Sequence, residues 1–162
     1  MRWIWIDTFI EFESARRAVA VKNVTFAEDH VHDQFEGYAV FPATLMIEGM
    51  AQTAGILVGE LRGFAQNVIL AKIRRAEFED YAVPGDRLTY EAEIESITDA
   101  AAGTVGKVLK NGQRIGEVDL LFSYMDEQSA PPGVPRRNFV FTEQFMGLLN
   151  AYQIKGRSDD AA

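Results

Sequence analysis

The chain contains no cysteine, so it carries no disulfide framework, no thiolate metal site and no cysteine nucleophile. Histidine is scarce: the two residues, His30 and His32, share one short stretch. Cations are in deficit, with 16 Lys and Arg against 24 Asp and Glu and a net charge of −8. Nucleic-acid binding draws on a basic excess, so that class is disfavoured. The longest apolar run, residues 39–59, is interrupted by Pro42, Glu48, Gln52, two threonines and three glycines, which suits a buried helix better than a membrane span. The opening "MRWIWIDTFIEF" lacks the sustained apolar core of a signal peptide, and Asp7 breaks it early. These absences lead us to expect a cytoplasmic protein with no nucleic-acid or membrane partner.

What is present describes a globular chain. Of 162 residues, 48% are apolar, enough for one domain with a sizeable core. "RWIWIDTFIEFE" alternates at roughly period two and reads as a strand, joined across Glu13–Ala15 to a second strand in "SARRAVAVKNVTFAE". Residues 28–41 carry loop chemistry. A helix is expected from about Pro42 to Leu61, with Pro42 in the first turn and Gly63 as a cap. Beyond Asn67 the pattern turns to strands. A turn is expected at Pro84–Asp86, Leu88, Tyr90, Ala92, Ile94 and Ile97 share one face, and Asn111-Gly112 marks a two-residue hairpin. One helix among antiparallel strands is an α+β layout. We assign residues 1–125 to this domain. Residues 126–162 form a proline-bearing arm, a short helix of three turns at most with Phe145, Leu148, Leu149 and Tyr152 on one face, and a frayed tail from Gly156.

The candidate site lies in the helix. Thr44, Glu48 and Gln52 recur every four residues and form one narrow polar stripe on an otherwise greasy surface. A buried carboxylate without a partner pays heavily for its charge, and a carboxyl kept neutral can act as a general acid. A structural glutamate bonded to Gln52 is the bland alternative. The first free N–H groups of the helix belong to Ala43 and Thr44 and carry the positive end of its dipole, which would polarise a thioester carbonyl.

At this point the residues resemble a known family. "QFEGYAVFPATLMIEGMAQTAG" is similar to the active-site segment of the hot-dog-fold 3-hydroxyacyl-ACP dehydratases, the FabZ/FabA type, with the pattern H-F-x-G-x-P-x-x-P-G-x-L-x-x-E-A-M-A-Q. Phe35, Gly37, Pro42, Leu45, Glu48, Met50, Ala51 and Gln52 match without a gap. The likeness extends over roughly residues 3–125. It implies a long helix wrapped by an antiparallel sheet, a homodimer or an assembly of dimers, and active sites at the subunit interface. It implies dehydration of a 3-hydroxyacyl thioester in fatty acid biosynthesis, with no metal or redox cofactor and with acyl carrier protein or coenzyme A as the thioester's carrier. Glu48 then protonates the departing hydroxyl and the Ala43 N–H holds the thioester oxygen. Phe35, Gly37, Phe41, Pro42, Thr44 and Gln52 line the substrate.

The pattern's histidine position is held by Gln34, and an amide is no base; losing a general base costs on the order of 10²–10⁴ in rate. His32, two residues away, is the candidate substitute, roughly 7 Å along an extended segment. A metal held by His30, His32 and Asp29 or Asp33 is a remote alternative. The pair Gln34 and Glu48 also resembles the amide and carboxylate of hot-dog thioesterases, so hydrolysis is an alternative, as is an acyl-thioester-binding subunit without chemistry. An ionised Glu48 would serve hydrolysis and a protonated one the dehydratase acid. For an acidic carrier protein, Arg74, Arg75, Lys107, Lys110 and Arg114 are the candidate contacts; ordinary solvated charge is their competing explanation.

Overall fold

The computed structural model describes residues 3–125 and 140–159, with side chains described as far as Tyr152. Six strands form one antiparallel sheet: β1 (Thr8–Glu13), β2 (Arg17–Asn23), β3 (Asn67–Phe78), β4 (Arg87–Ile97), β5 (Ala101–Lys110) and β6 (Gln113–Met125). Their spatial order is β1-β2-β4-β5-β6-β3. The 18-residue helix α1 (Ala43–Glu60) lies in the sheet's embrace, and α2 (Glu143–Asp159) packs against β1. This is the hot-dog fold.

Local chemistry accounts for the turns. The first hairpin turns at Ser14–Arg16, with Ala15 at φ 60° and the Arg16 N–H donating to the Glu13 carbonyl at 3.1 Å. Asn111 and Gly112 both take positive φ, as a tight hairpin with the sheet's twist requires. Gly85, at φ 101°, makes the turn before β4. On β4, Leu88, Tyr90 and Ala92 are fully buried, but Ile97 is exposed. The pairing with β5 slips by one residue between Ile94 and Ser96, which brings Ile97, opposite Ala102, to the face of Ile94, opposite Thr104; Ile97 is the last residue of the strand.

The first strand is shorter than its alternation suggests. Residues 3–7 stand outside β1, because the Trp5 N–H donates to the Gln52 side chain of α1 at 2.8 Å instead of to a neighbouring strand. The second helix is longer than three turns, 17 residues reaching Asp159, so the expected fraying from Gly156 is corrected as far as that residue. Its buried Leu149 and half-buried Phe145, Leu148 and Tyr152 lend it the tertiary contact that a helix of this composition needs. The proline-bearing arm lies outside the described residues.

From Gly49 to Gly59 the central helix is buried on every side, while its first turn is open. Gly49 permits a close crossing of helix over sheet: a Cβ there would stand 2.5 Å from the Tyr90 ring of β4. At the sheet's free edge, eight consecutive residues of β3, Leu70 to Glu77, are exposed.

Candidate functional site

The polar stripe of α1 descends into the protein. Thr44 is exposed, Glu48 half-buried and Gln52 buried, because the first turn of the helix is open and the residues from Gly49 onward are covered. Glu48 is neither isolated nor unpartnered. Its Oε1 accepts from the Trp3 indole Nε1 and from the Gln52 Nε2, each at 3.0 Å. Gln52 does more. Its Oε1 accepts the Trp5 backbone N–H at 2.8 Å, and its Nε2 also donates to the Trp3 carbonyl at 3.0 Å. One amide thereby ties the N-terminal segment to α1 and fixes the glutamate. Among the described residues, hydrogen bonds reach the carboxyl through Oε1, so Oε2 is the oxygen left to exchange a proton.

Glu48 and Gln52 border a cavity of about 620 Å³ between α1, the paired ends of β3 and β6, and the start of α2. That size is within the roughly 300–1,000 Å³ typical of small-molecule sites. Its other walls include Trp3, Leu70, Phe122, Phe141 and Phe145. Neither Trp3 nor the aromatic wall is evident from the sequence, since Trp3 and Glu48 stand 45 residues apart.

A second hollow of about 230 Å³ lies at the N-terminus of α1. Gln34, Phe35, Phe41 and Ala43 line it, with Tyr81. The four residues Phe35–Tyr38 make a tight turn in which Gly37 takes φ 74°, which holds Gln34 and Phe35 exposed beside the helix end. Pro42 is the N-cap of α1 and offers no side-chain bond, so the Ala43 and Thr44 N–H groups have no acceptor among the described residues. Thr44, Pro42 and Gly37 border neither hollow directly. Within one chain, then, the expected site is split: Gln34 and Ala43 on one side, Glu48 and Gln52 on the other.

The histidines take other places. His32 Nε2 lies 3.0 Å from the Phe26 carbonyl, and its ring stacks edge-on with Phe26 at 4.7 Å. His30 is wedged between Trp5 and Phe41, at 4.7 and 5.2 Å, and burial lowers its proton affinity. Neither imidazole lines either hollow. Among the described residues no cluster of three or more His, Asp or Glu is arranged to hold a metal. A brace lies beside His30. Glu28 pairs with the nearly buried Lys22, which in turn lies 3.5 Å from Asp7; the His30 Nε2, 3.7 Å from Glu28, makes no hydrogen bond among the described residues. That brace anchors the 3₁₀ turn Asp29–His32, and with it the loop that presents Gln34.

The candidate basic patch is largely neutralised. Arg74 pairs with Glu95 at 2.6 Å, Arg75 with Glu77 and Glu117, Lys110 with Asp80, and Arg114 with Glu79 and Glu117. No described helix is long and apolar enough to cross a membrane.

Comparison with known proteins matches residues 4–119 to the family described as the FabA-like domain. The chain is 33% identical over 135 residues to the 3-hydroxyacyl-[acyl-carrier-protein] dehydratase FabZ of Solibacter usitatus, covering 82% of this chain and 83% of that one. It is 36% identical over 126 residues to the FabZ of Pelotomaculum thermopropionicum, covering 75% and 87%. Among solved structures, a chain of the dehydratase heterocomplex ApeI:P from Xenorhabdus doucetiae superposes with a TM-score of 0.66 at 14% identity, over 78% of this chain and 86% of that chain.

Proposed function

Because the chain belongs to the FabA-like family, we propose that it is a 3-hydroxyacyl thioester dehydratase, a hydro-lyase of fatty acid biosynthesis that takes its substrate from acyl carrier protein or coenzyme A. The observation that carries this reading is Glu48: a carboxyl fixed through one oxygen, with the other left for proton exchange, at the edge of an apolar cavity.

The thioester carbonyl sits at the start of α1, where the Ala43 N–H and the helix dipole draw electron density from it and acidify the neighbouring carbon. Gln34 positions that end of the substrate. With no imidazole lining either hollow, Glu48 serves in both directions. Its Oε2 takes the α-proton, the C–O bond at the β-carbon breaks, and the same proton leaves with the hydroxyl as water. The double bond forms between the two carbons, and Glu48 returns to its starting state. This route starts from an ionised Glu48.

The split between the two hollows supports a homodimer, in which Gln34 and Ala43 of one subunit complete the cavity that carries Glu48 of the other. The bare edge of β3 supports the same assembly, because an unpaired strand of this length is a template for a second copy. A single-chain site would need one substrate to span both hollows.

The test is a mass-spectrometric product assay on the purified protein with a 3-hydroxyacyl thioester. Enoyl thioester from the wild type, abolished in Glu48→Gln, is the expected result. Gln34→His should raise the rate by about 10²–10⁴ by supplying a dedicated base. Free 3-hydroxy acid, or no product from the wild type on any such thioester, would sink the proposal.

A further inference from the structure

The cavity that holds Glu48 has a polar end and an aromatic end, and the aromatic end comes from outside the family domain. The match stops at residue 119, whereas Val140, Phe141, Thr142, Gln144 and Phe145 all line the cavity. This added wall is anchored. The Val140 N–H donates to the side chain of the buried Asn67 at 3.3 Å. Phe141 lies edge-on to Phe64 at 5.0 Å and seats on Gly59, where a Cβ would come within 2.2 Å of its ring. The Thr142 hydroxyl accepts the Phe145 N–H at 3.3 Å and caps α2, and Leu149 fixes the helix in the core. Phe145 stacks on Phe141 at 6.4 Å, their rings 26° from parallel.

Resting on the reading that Glu48 works at the β-carbon, we propose that this segment is the end wall of the acyl pocket and that Phe145, backed by Phe141, sets the length of chain accepted. An acyl thioester that meets Glu48 with its β-carbon directs its apolar tail into this cavity, past Leu70 and Phe122 and toward the two rings. Each methylene that leaves water for contact with these apolar walls strengthens binding about fourfold, the equivalent of ~0.8 kcal/mol. The gain stops where the chain reaches Phe145.

The experiment uses the full chain and saturated acyl-CoA thioesters, from butyryl to myristoyl, which bind without reacting. Titration calorimetry should give a wild-type affinity that climbs with chain length to a break. Phe145→Ala should move the break at least two methylenes longer and Phe145→Trp should move it shorter. An unmoved break in both variants overturns the proposal. A second measurement does not depend on either variant folding. A coenzyme A thioester whose acyl terminus carries a diazirine is photolysed on the wild type and the labelled peptide is mapped. Label within residues 140–145 supports the wall, and label confined to other segments overturns it. The proposal and the dehydratase reading fail separately. Enoyl product with label elsewhere removes the wall alone, whereas label in the wall without enoyl product removes the dehydration alone.

Discussion

Gln52→Met tests the amide that joins the N-terminal segment to the glutamate. Methionine has nearly the same length and is accepted in helices, so the change removes hydrogen bonds with little change of volume. Three bonds go: the Trp5 N–H at 2.8 Å, the Trp3 carbonyl at 3.0 Å and Glu48 Oε1 at 3.0 Å. The residue is 5% exposed, so water does not replace them freely. Each intramolecular bond contributes about 0.5–1.5 kcal/mol net, and a buried N–H left unpaired costs about 1–3 kcal/mol. A loss of about 3 kcal/mol follows, equal to a fall in Tm of about 9 °C for a chain of this size. Urea unfolding followed by the fluorescence of Trp3 and Trp5, at fixed protein concentration, reads it directly: the midpoint falls and the slope m stays constant. Glu48→Gln is the control, since its amide oxygen still accepts from both donors, and it should lose less than 1 kcal/mol. Equal stability losses in the two variants, or a loss under 1 kcal/mol in Gln52→Met, would refute the assignment of Gln52 as the clamp.

Three further outcomes follow from buried groups. Tyr90 is fully buried with no partner for its hydroxyl among the described residues, so Tyr90→Phe should stabilise by about 1 kcal/mol in urea unfolding. Gly59→Ala collides with Phe141, and overpacking of this kind costs about 1–3 kcal/mol; differential scanning calorimetry should find a lower Tm. Burial keeps the His30 imidazole neutral in the fold against the pull of Glu28, Asp29 and Asp33 and in concert with Lys22. Its contribution is whole above the ordinary histidine range and is lost as pH falls through that range, because the unfolded chain then binds the extra proton. The Tm of the wild type should therefore drop more steeply between about pH 7 and 5 than that of His30→Phe, which keeps both ring contacts; parallel curves would contradict this.

Much of the fold is legible in the residues because local chemistry and burial agree there. Asn111-Gly112 and Pro84–Asp86 turn where their backbone preferences require, and the stripe Thr44–Glu48–Gln52 lies on one helix face. The failures share a cause, which is competition from distant partners. Trp3 and Trp5 alternate like a strand, yet Gln52 claims the Trp5 N–H and Glu48 claims the Trp3 indole. Ile97 stands three residues from Ile94, off the period of two, and only a slip in pairing that β5 specifies sets it on the same face, at the exposed end of the strand. The same holds at the site. Spacing identifies Glu48 as the carboxylate within the apolar run of the helix, but one of its partners, Trp3, comes from the other end of the chain. Phe145 reads as part of one face of a short helix and Phe141 belongs to no such pattern; only the folded chain sets both around the cavity that Glu48 borders.

The sheet order also governs the protein's first seconds. Strand β3 pairs with β6, Asn67 with Met125 and Phe78 with Gly116, so its partner emerges from the ribosome well after it does. The gap from Asn67 to Met125 is 58 residues (125 − 67), about 3–12 s of synthesis at roughly 5–20 residues per second. Until β6 is made, α1, apolar on nearly every side, lacks part of its cover. Arg74, Arg75 and Glu77, standing on the unpaired strand, put charge where a wrong partner would otherwise add itself, and so guard the nascent chain before they serve the finished one.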